Sequence, residues 1–210
     1  MATEELIRLL TQLIAFLATI LLLLTCGITY LLFKFRENRN EIKKLKIDGP
    51  TGVLRREVWE EKLALRLKKK SQAVCIIDLD YLKKFNDQYG HQFGDVVIKI
   101  LANAAEYNLK EKDLIGRYGG DEFVIAFDAT DVINGNDRVF EIMERVRERF
   151  ASDAQTYFEK KVGKIETPFQ FSFGHTIAER GRRSLETIYS EADQKLYEQK
   201  AARNKQLSSR

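Results

Sequence analysis

The sequence predicts a mixed α/β domain of the α+β kind, a central antiparallel-type sheet flanked by helices, preceded by one membrane-spanning helix. Three observations predict it. Residues 9–33 hold no charged side chain. A cluster of turn formers, Asp48-Gly49-Pro50-Thr51-Gly52, separates this N-terminal part from the rest of the chain. Beyond it, short apolar runs of strand length alternate with helical patterns.

The uncharged run is centred on 13–24, which reads LIAFLATILLLL. A spanning helix needs about 20 mainly apolar residues, and this run is long enough. A signal peptide has a basic start and a shorter apolar stretch. Here Glu4 and Glu5 stand against Arg8, and no Ala-x-Ala site comes after the run. A buried core helix would be shorter or carry a polar face. Lys34, Arg36, Arg39, Lys43, Lys44 and Lys46 flank one end and Arg8 the other. The positive-inside tendency therefore places the C-terminal domain in the cytoplasm, with the chain crossing the cell's inner (cytoplasmic) membrane once. It leaves no room for an extracellular sensor. The same cations suit anionic lipid headgroups as well as retention. The expected division is an anchor over 1–34, a linker helix over 35–47 and a globular domain over 48–210.

The linker is polar and free of Gly and Pro. Phe35, Ile42 and Leu45 form a sparse seam, too short for a coiled coil on its own. Trp59, Leu63 and Leu67 give the next helix one apolar face. Residues 73–79 read as a buried strand. Val96, Val97, Ile100, Leu101 and Ala104 pattern a helix beginning at Val96, with Asp95 in the capping position. Residues 114–118 and 122–127 are strands around a Gly119-Gly120 turn. Val139, Ile142, Met143, Val146 and Phe150 mark another helix, and residues 152–167 are a less patterned stretch containing a surface excursion. Phe169, Phe171 and Phe173 alternate as a strand with one buried face. Residues 184–202 close the chain as a helix. This order fits the split βαβ plan of palm-like domains.

The whole chain carries 44% apolar and 31% charged residues with a net charge of +4. That modest charge does not argue for nucleic acid. Two cysteines, Cys26 in the apolar run and Cys75 in a strand, are expected in different media and unpaired.

The chemistry lies in two acid clusters. Asp78 and Asp80 end an apolar strand on a shared face. Asp121 and Glu122 stand directly after the Gly-Gly turn. If the strand pairs with the hairpin, the clusters meet at one edge of the sheet. Carboxylates so placed suit hard divalent ions that also hold phosphate. Taken singly, each cluster is more often a solvated turn.

Residues 117–123, RYGGDEF, resemble the signature of the GGDEF family. Residues 77–95, IDLDYLKKFNDQYGHQFGD, resemble that family's other long motif. Residues 48–53 resemble its entry motif, and 171–174 and 192–197 its late strand and last helix. The resemblance runs over about 48–204 and implies a diguanylate cyclase. Such an enzyme joins two GTP into cyclic di-GMP with release of pyrophosphate, as a homodimer requiring Mg²⁺, with Mn²⁺ as an alternative ion. By resemblance, Asp78, Asp121, Glu122 and the Leu79 carbonyl hold metal. Asp121 also accepts the proton of the attacking 3′-hydroxyl, and Lys83 neutralises phosphate charge. Backbone N–H groups at Tyr81 and Leu82 cradle the terminal phosphates, and Gly119 and Gly120 admit the α-phosphate. Asn86 and Asp95 read guanine. The resemblance carries His91 into the substrate-binding set, though its own setting reads as structural. His175 reads as a packing histidine.

The sequence departs from the family at Pro50, at Arg55 and in Lys200-Ala201-Ala202-Arg203-Asn204, one residue shorter than Lys-x-x-Gly-Arg-Asn. Lys200 and Arg203 remain candidate phosphate ligands with altered geometry. Lys110-Glu111-Lys112-Asp113 replaces an Arg-x-x-Asp product-inhibition site, and lysine lacks the planar fork of arginine. Two other functions stay open: a binding module for GTP or cyclic di-GMP without turnover, and a cyclase for another nucleotide.

Overall fold

The computed structural model describes residues 2–129, 136–181 and 184–208. It forms two compact units, Met1–Leu45 and Lys46–Arg210.

The first unit is most of one helix, α1 (Ala2–Lys46). By length and composition it is able to cross a membrane over Thr3–Glu37. The threonine hydroxyls of its apolar stretch are satisfied within the helix. Thr19, Thr25 and Thr29 donate to the carbonyls of Phe16, Leu22 and Cys26, so the apolar stretch offers few open polar groups to lipid. The side chains of Ile42 and Leu45, and with them the predicted seam, lie outside the described residues.

The second unit runs β1 (Leu54–Arg55), α2 (Arg56–Leu67), β2 (Gln72–Leu79), α3 (Leu82–Tyr89), α4 (His91–Asn108), β3 (Leu114–Gly119), β4 (Glu122–Asp128), α5 (Asn136–Val162), β5 (Phe171–Ala178) and α6 (Leu185–Ser208). The five strands order as β1-β3-β4-β2-β5, antiparallel except for the short parallel pair of β1 with β3.

Strand alternation divides two cores. Ala73, Cys75, Ile77 and Leu79 of β2 join Phe123, Ile125 and Phe127 of β4 against α3, α4 and α5. Val74 and Ile76 join Val124 and Ala126 on the other face, with Trp59, Leu63 and Leu67 of α2 and Ile188, Ala192 and Leu196 of α6. Asp78 shares this second face, so α6 runs past it.

Three expectations are corrected, and one strand goes unread in the sequence. The helix predicted from Val96 starts at His91, five residues earlier. Gly90, at φ +87°, separates it from α3, which the polar sequence hides. Residues 152–162 continue α5, because Ala154 and Phe158 extend the buried stripe of Phe150 at four-residue spacing. β5 begins at Phe171 and is buried on both faces. β1 is two residues long and carries too little pattern to read.

Candidate functional site

The site is built at the edge of the sheet where β2 ends and the β3–β4 turn closes. Asp78 lies opposite Glu122 in the β2–β4 register. The Leu79 N–H donates to the Asp121 carbonyl at 3.2 Å, carrying the pairing one step past the strand. Both acid clusters thus reach one edge. Asp121 and Glu122 are half-buried, while Gly119 and Gly120 are exposed on the turn. Gly120 sits at φ +27°, and a β-bulge between Arg117 and Gly119 re-aims the turn. Arg117 braces it, donating to the Gly120 carbonyl at 3.1 and 2.7 Å and to Asp48 at 3.1 Å.

The chain beyond β2 makes a sharp reversal. Tyr81 adopts the left-handed conformation (φ 63°, ψ 14°), which a non-glycine residue takes only under constraint. It delivers the start of α3 beside the acids. The first backbone N–H groups of a helix have no partner within it, and those at Leu82 and Lys83 open this one. The Lys83 side chain is exposed, and Tyr81 and Leu82 are half-buried.

Asn86, on α3, packs against Gly94 of α4. Its Oδ1 is buried without a hydrogen-bond partner. A Cβ on Gly94 would lie 2.0 Å from that oxygen, so the glycine makes room for the amide. Asp95 and His91 are exposed on the first two turns of α4. Since α4 begins at His91, Asp95 is not its cap. Lys110 and Asp113 share a turn in which the Lys110 N–H donates to the Asp113 carboxylate at 2.9 Å.

Helix α6 supplies the cations. Lys200 Nζ lies 2.6 Å from Asp78 Oδ1. Arg203 grips Asp80 with both terminal nitrogens, one at 2.8 Å, and donates to Ser172 Oγ at 2.8 Å. Ser172 in turn donates to Asp80 at 3.1 Å. Asp80 is buried, and the Arg203 guanidinium lies 5.8 Å from the Tyr81 ring. Sequence reasoning misses this Asp80–Arg203–Ser172 network. Its members are up to 123 residues apart, and no local pattern announces such a pairing.

Charge is concentrated here. Burial raises the Asp78 carboxyl above the usual range against the pull of Lys200, with Asp121 and Asp80 adding repulsion. Burial, then Asp78 and Asp121, raises Glu122. Among the described residues no three acid, His or Cys side chains already converge as a metal-holding group. The donor chemistry is nonetheless all carboxylate and carbonyl oxygen, which suits a hard divalent ion. The crowding leaves negative charge for such an ion to neutralise. His175 is buried in β5 edge-on to Phe140, and burial lowers its pKa, consistent with packing.

The profile of the family described as "Diguanylate cyclase, GGDEF domain" matches residues 45–206. The chain is 31% identical over 165 residues to the diguanylate cyclase DgcP of Pseudomonas aeruginosa, covering 76% of this chain and 23% of that protein. It is 32% identical over 176 residues to the probable diguanylate cyclase DgcJ of Escherichia coli, covering 81% and 32%. It thus spans a third or less of those relatives. The diguanylate cyclase SiaD of Pseudomonas aeruginosa, solved with its activator SiaC, superposes with a TM-score of 0.65 at 26% identity, over 96% of this chain and 76% of that one. With most of its length matched by the family profile, the chain belongs to the GGDEF domain family.

Proposed function

We propose that the protein is a membrane-anchored diguanylate cyclase that condenses two GTP into cyclic di-GMP and pyrophosphate. The observation that carries this reading is the meeting of Asp78, Asp121 and Glu122 at one sheet edge, beside the unpaired start of α3 and the cation Lys200. Sequence likeness to diguanylate cyclases supports it.

In this reading Asp78, Asp121, Glu122 and the Leu79 carbonyl hold Mg²⁺, or Mn²⁺ in its place. The ion, when bound, neutralises phosphate charge and polarises the reacting oxygens. The backbone at Tyr81 and Leu82 binds the terminal phosphates, and Lys83 offsets charge developing on them. Gly119 and Gly120 keep side chains away from the α-phosphate. Asp121 accepts the proton of the attacking 3′-hydroxyl. Asn86 and Asp95 meet the guanine edge, an amide for O6 and a carboxylate for the N1–H and N2–H donors. The Asn86 Nδ2 group is the donor for O6, and its orphaned Oδ1 is an acceptor that calls for a donor on a polar ligand. His91, at the start of α4, borders this base site.

Each domain holds one GTP, and each 3′-hydroxyl attacks the other's α-phosphate, so the active form is a homodimer. The apolar length of α1 and its basic cytoplasmic flank support a single-pass anchor in the inner membrane. Anchoring raises the concentration of the partner domain.

The test is incubation of the full chain in detergent micelles with Mg²⁺ and either GTP or ATP, with identification of products. Cyclic di-GMP from GTP alone supports the reading. Nucleotide binding without turnover would assign a binding module, and a cyclic product from ATP a different cyclase.

A further inference from the structure

α6 presents two cations, one helical turn apart, to the two acids at the end of β2. Lys200 and Arg203 are three residues apart and share a helix face. Asp78 is the penultimate residue of β2 and Asp80 the first residue beyond it. The two pairs are nevertheless unlike.

Arg203 is held from several sides. Its pair with Asp80 is bidentate, Ser172 closes the triangle, and the Asp80 side chain is only 3% exposed. Breaking such a pair strands a buried charge, a large penalty. Arg203 is therefore a strut that pins the last turns of α6 in the nucleotide-free protein. Lys200 is held by its ion pair with Asp78, and its side chain is 33% exposed. A half-buried ammonium on a flexible stem, with a single contact to a carboxylate 18% exposed, leaves its pair at less cost than the bidentate Arg203 leaves Asp80. Of the two cations, Lys200 is the exchangeable one.

We propose that Lys200 is a placeholder cation: without nucleotide its ammonium occupies the place at Asp78 that a divalent metal takes in the loaded enzyme. The inference rests on the reading of Asp78 as a metal ligand. A bare divalent ion arriving at Asp78 meets a cation 2.6 Å from Oδ1. It must bind against that charge, through Oδ2 or a shared Oδ1, or drive the ammonium into water. A metal arriving with a triphosphate meets no such conflict. The phosphates give Lys200 a new anionic partner and contribute oxygens to the ion's shell. Metal and nucleotide therefore enter together, and in the metal-free site the Asp78 carboxylate stays paired. Arg203 holds α6 in place throughout, so the lysine exchanges partners without the helix moving.

The test is direct binding of Mn²⁺, read by electron paramagnetic resonance of the free ion. It uses the full chain in detergent micelles, with and without a GTP analogue carrying an α,β-methylene bridge. With the Mn²⁺ that the analogue chelates on its own subtracted, wild type should bind Mn²⁺ at least about tenfold more tightly with the analogue than without it. Lys200→Met should bind Mn²⁺ alone about tenfold more tightly than wild type. Lys200→Arg, which keeps the charge, should remain weak. Lys200→Gln serves as a second neutral variant, with circular dichroism confirming the fold of each. If the neutral variants match wild type without nucleotide while all bind Mn²⁺ with the analogue, the placeholder role is overturned and the metal site stands. A wild-type affinity that ignores the analogue also overturns it. If no protein binds Mn²⁺ even with the analogue, the metal reading itself fails.

Discussion

Gly174 on β5 and Ala192 on α6 touch backbone to backbone. A Cβ on Gly174 would lie 2.1 Å from the Ala192 carbonyl oxygen and 2.3 Å from the Leu196 nitrogen. Neither atom is the end of a flexible side chain, so any substituent must lift the helix. The same helix carries Lys200 and Arg203 to the acids. Gly174→Ala should therefore lower stability by about 1–3 kcal/mol, the range for overpacking, and reduce product formation in parallel. Urea denaturation and product assay on the same preparation check both. Full stability together with full activity would show that α6 does not need this close approach.

Asp48 links the entry of the domain to the active-site turn. It accepts from Thr51 Oγ1 at 2.6 Å and from Arg117 at 3.1 Å, while Arg117 also holds the Gly120 carbonyl. Burial works against its ionisation, but the bonds from Thr51 and Arg117 outweigh it and hold the carboxyl below its usual range. A depressed pKa contributes stability that is present above the unfolded value and lost as pH falls through the folded one. Wild type should thus lose an increment of stability below about pH 4. Asp48→Asn should already lack it at pH 7, so its urea midpoints should approach those of wild type in acid. Curves that stay parallel from pH 7 to pH 3 would remove Asp48 from the linkage.

Asp78→Asn and Asp121→Asn should each abolish turnover, because an amide loses the charge that holds a divalent ion. The folds should survive. The Asp78 carboxyl is raised by burial, so its ionised form is a burden on the metal-free protein at neutral pH. Replacing it relieves that burden while giving up the contact with Lys200. Product assays and thermal melts decide. Near-normal product from either variant would sink the metal assignment, and gross unfolding would show a structural role instead.

The sheet is legible in the sequence because its strands are short apolar runs and its hairpin has a Gly-Gly turn. The face of α2 is equally plain, since Trp59, Leu63 and Leu67 recur at helical spacing and are all buried. The acid clusters are visible as motifs, and their meeting depends only on pairing β2 with the hairpin. Residues 81–95 are harder. They are polar, and the break between α3 and α4 depends on the positive φ of Gly90, which no periodicity records. The length of α5 is readable in principle from the spacing of Phe150, Ala154 and Phe158. The seat of Arg203 is not. Its partners Asp80 and Ser172 are remote in sequence, and only the close approach of α6 at Gly174 brings them together.

Base choice gives the last prediction. A carboxylate placed against guanine N1–H and N2–H finds no such donors on adenine. Left desolvated and unpaired beneath the wrong base, it costs roughly 1–3 kcal/mol. A site built on hydrogen bonds rejects an analogue lacking them more strongly than an apolar pocket rejects an isostere. The competing role for Asp95 is to cap a helix starting at Val96. The structure removes it, since α4 starts at His91 and Asp95 lies inside the helix with its side chain exposed. An exposed acid there has no fold to hold, so Asp95→Ser should leave the melting temperature within a few degrees of wild type. It should narrow the preference for GTP over ATP by about tenfold or more, the factor that about 1.4 kcal/mol represents. Competition between the two nucleotides, with products resolved by mass, measures the ratio. An unchanged ratio would take Asp95 out of base recognition and leave that task to Asn86, whose buried Oδ1 still lacks a partner.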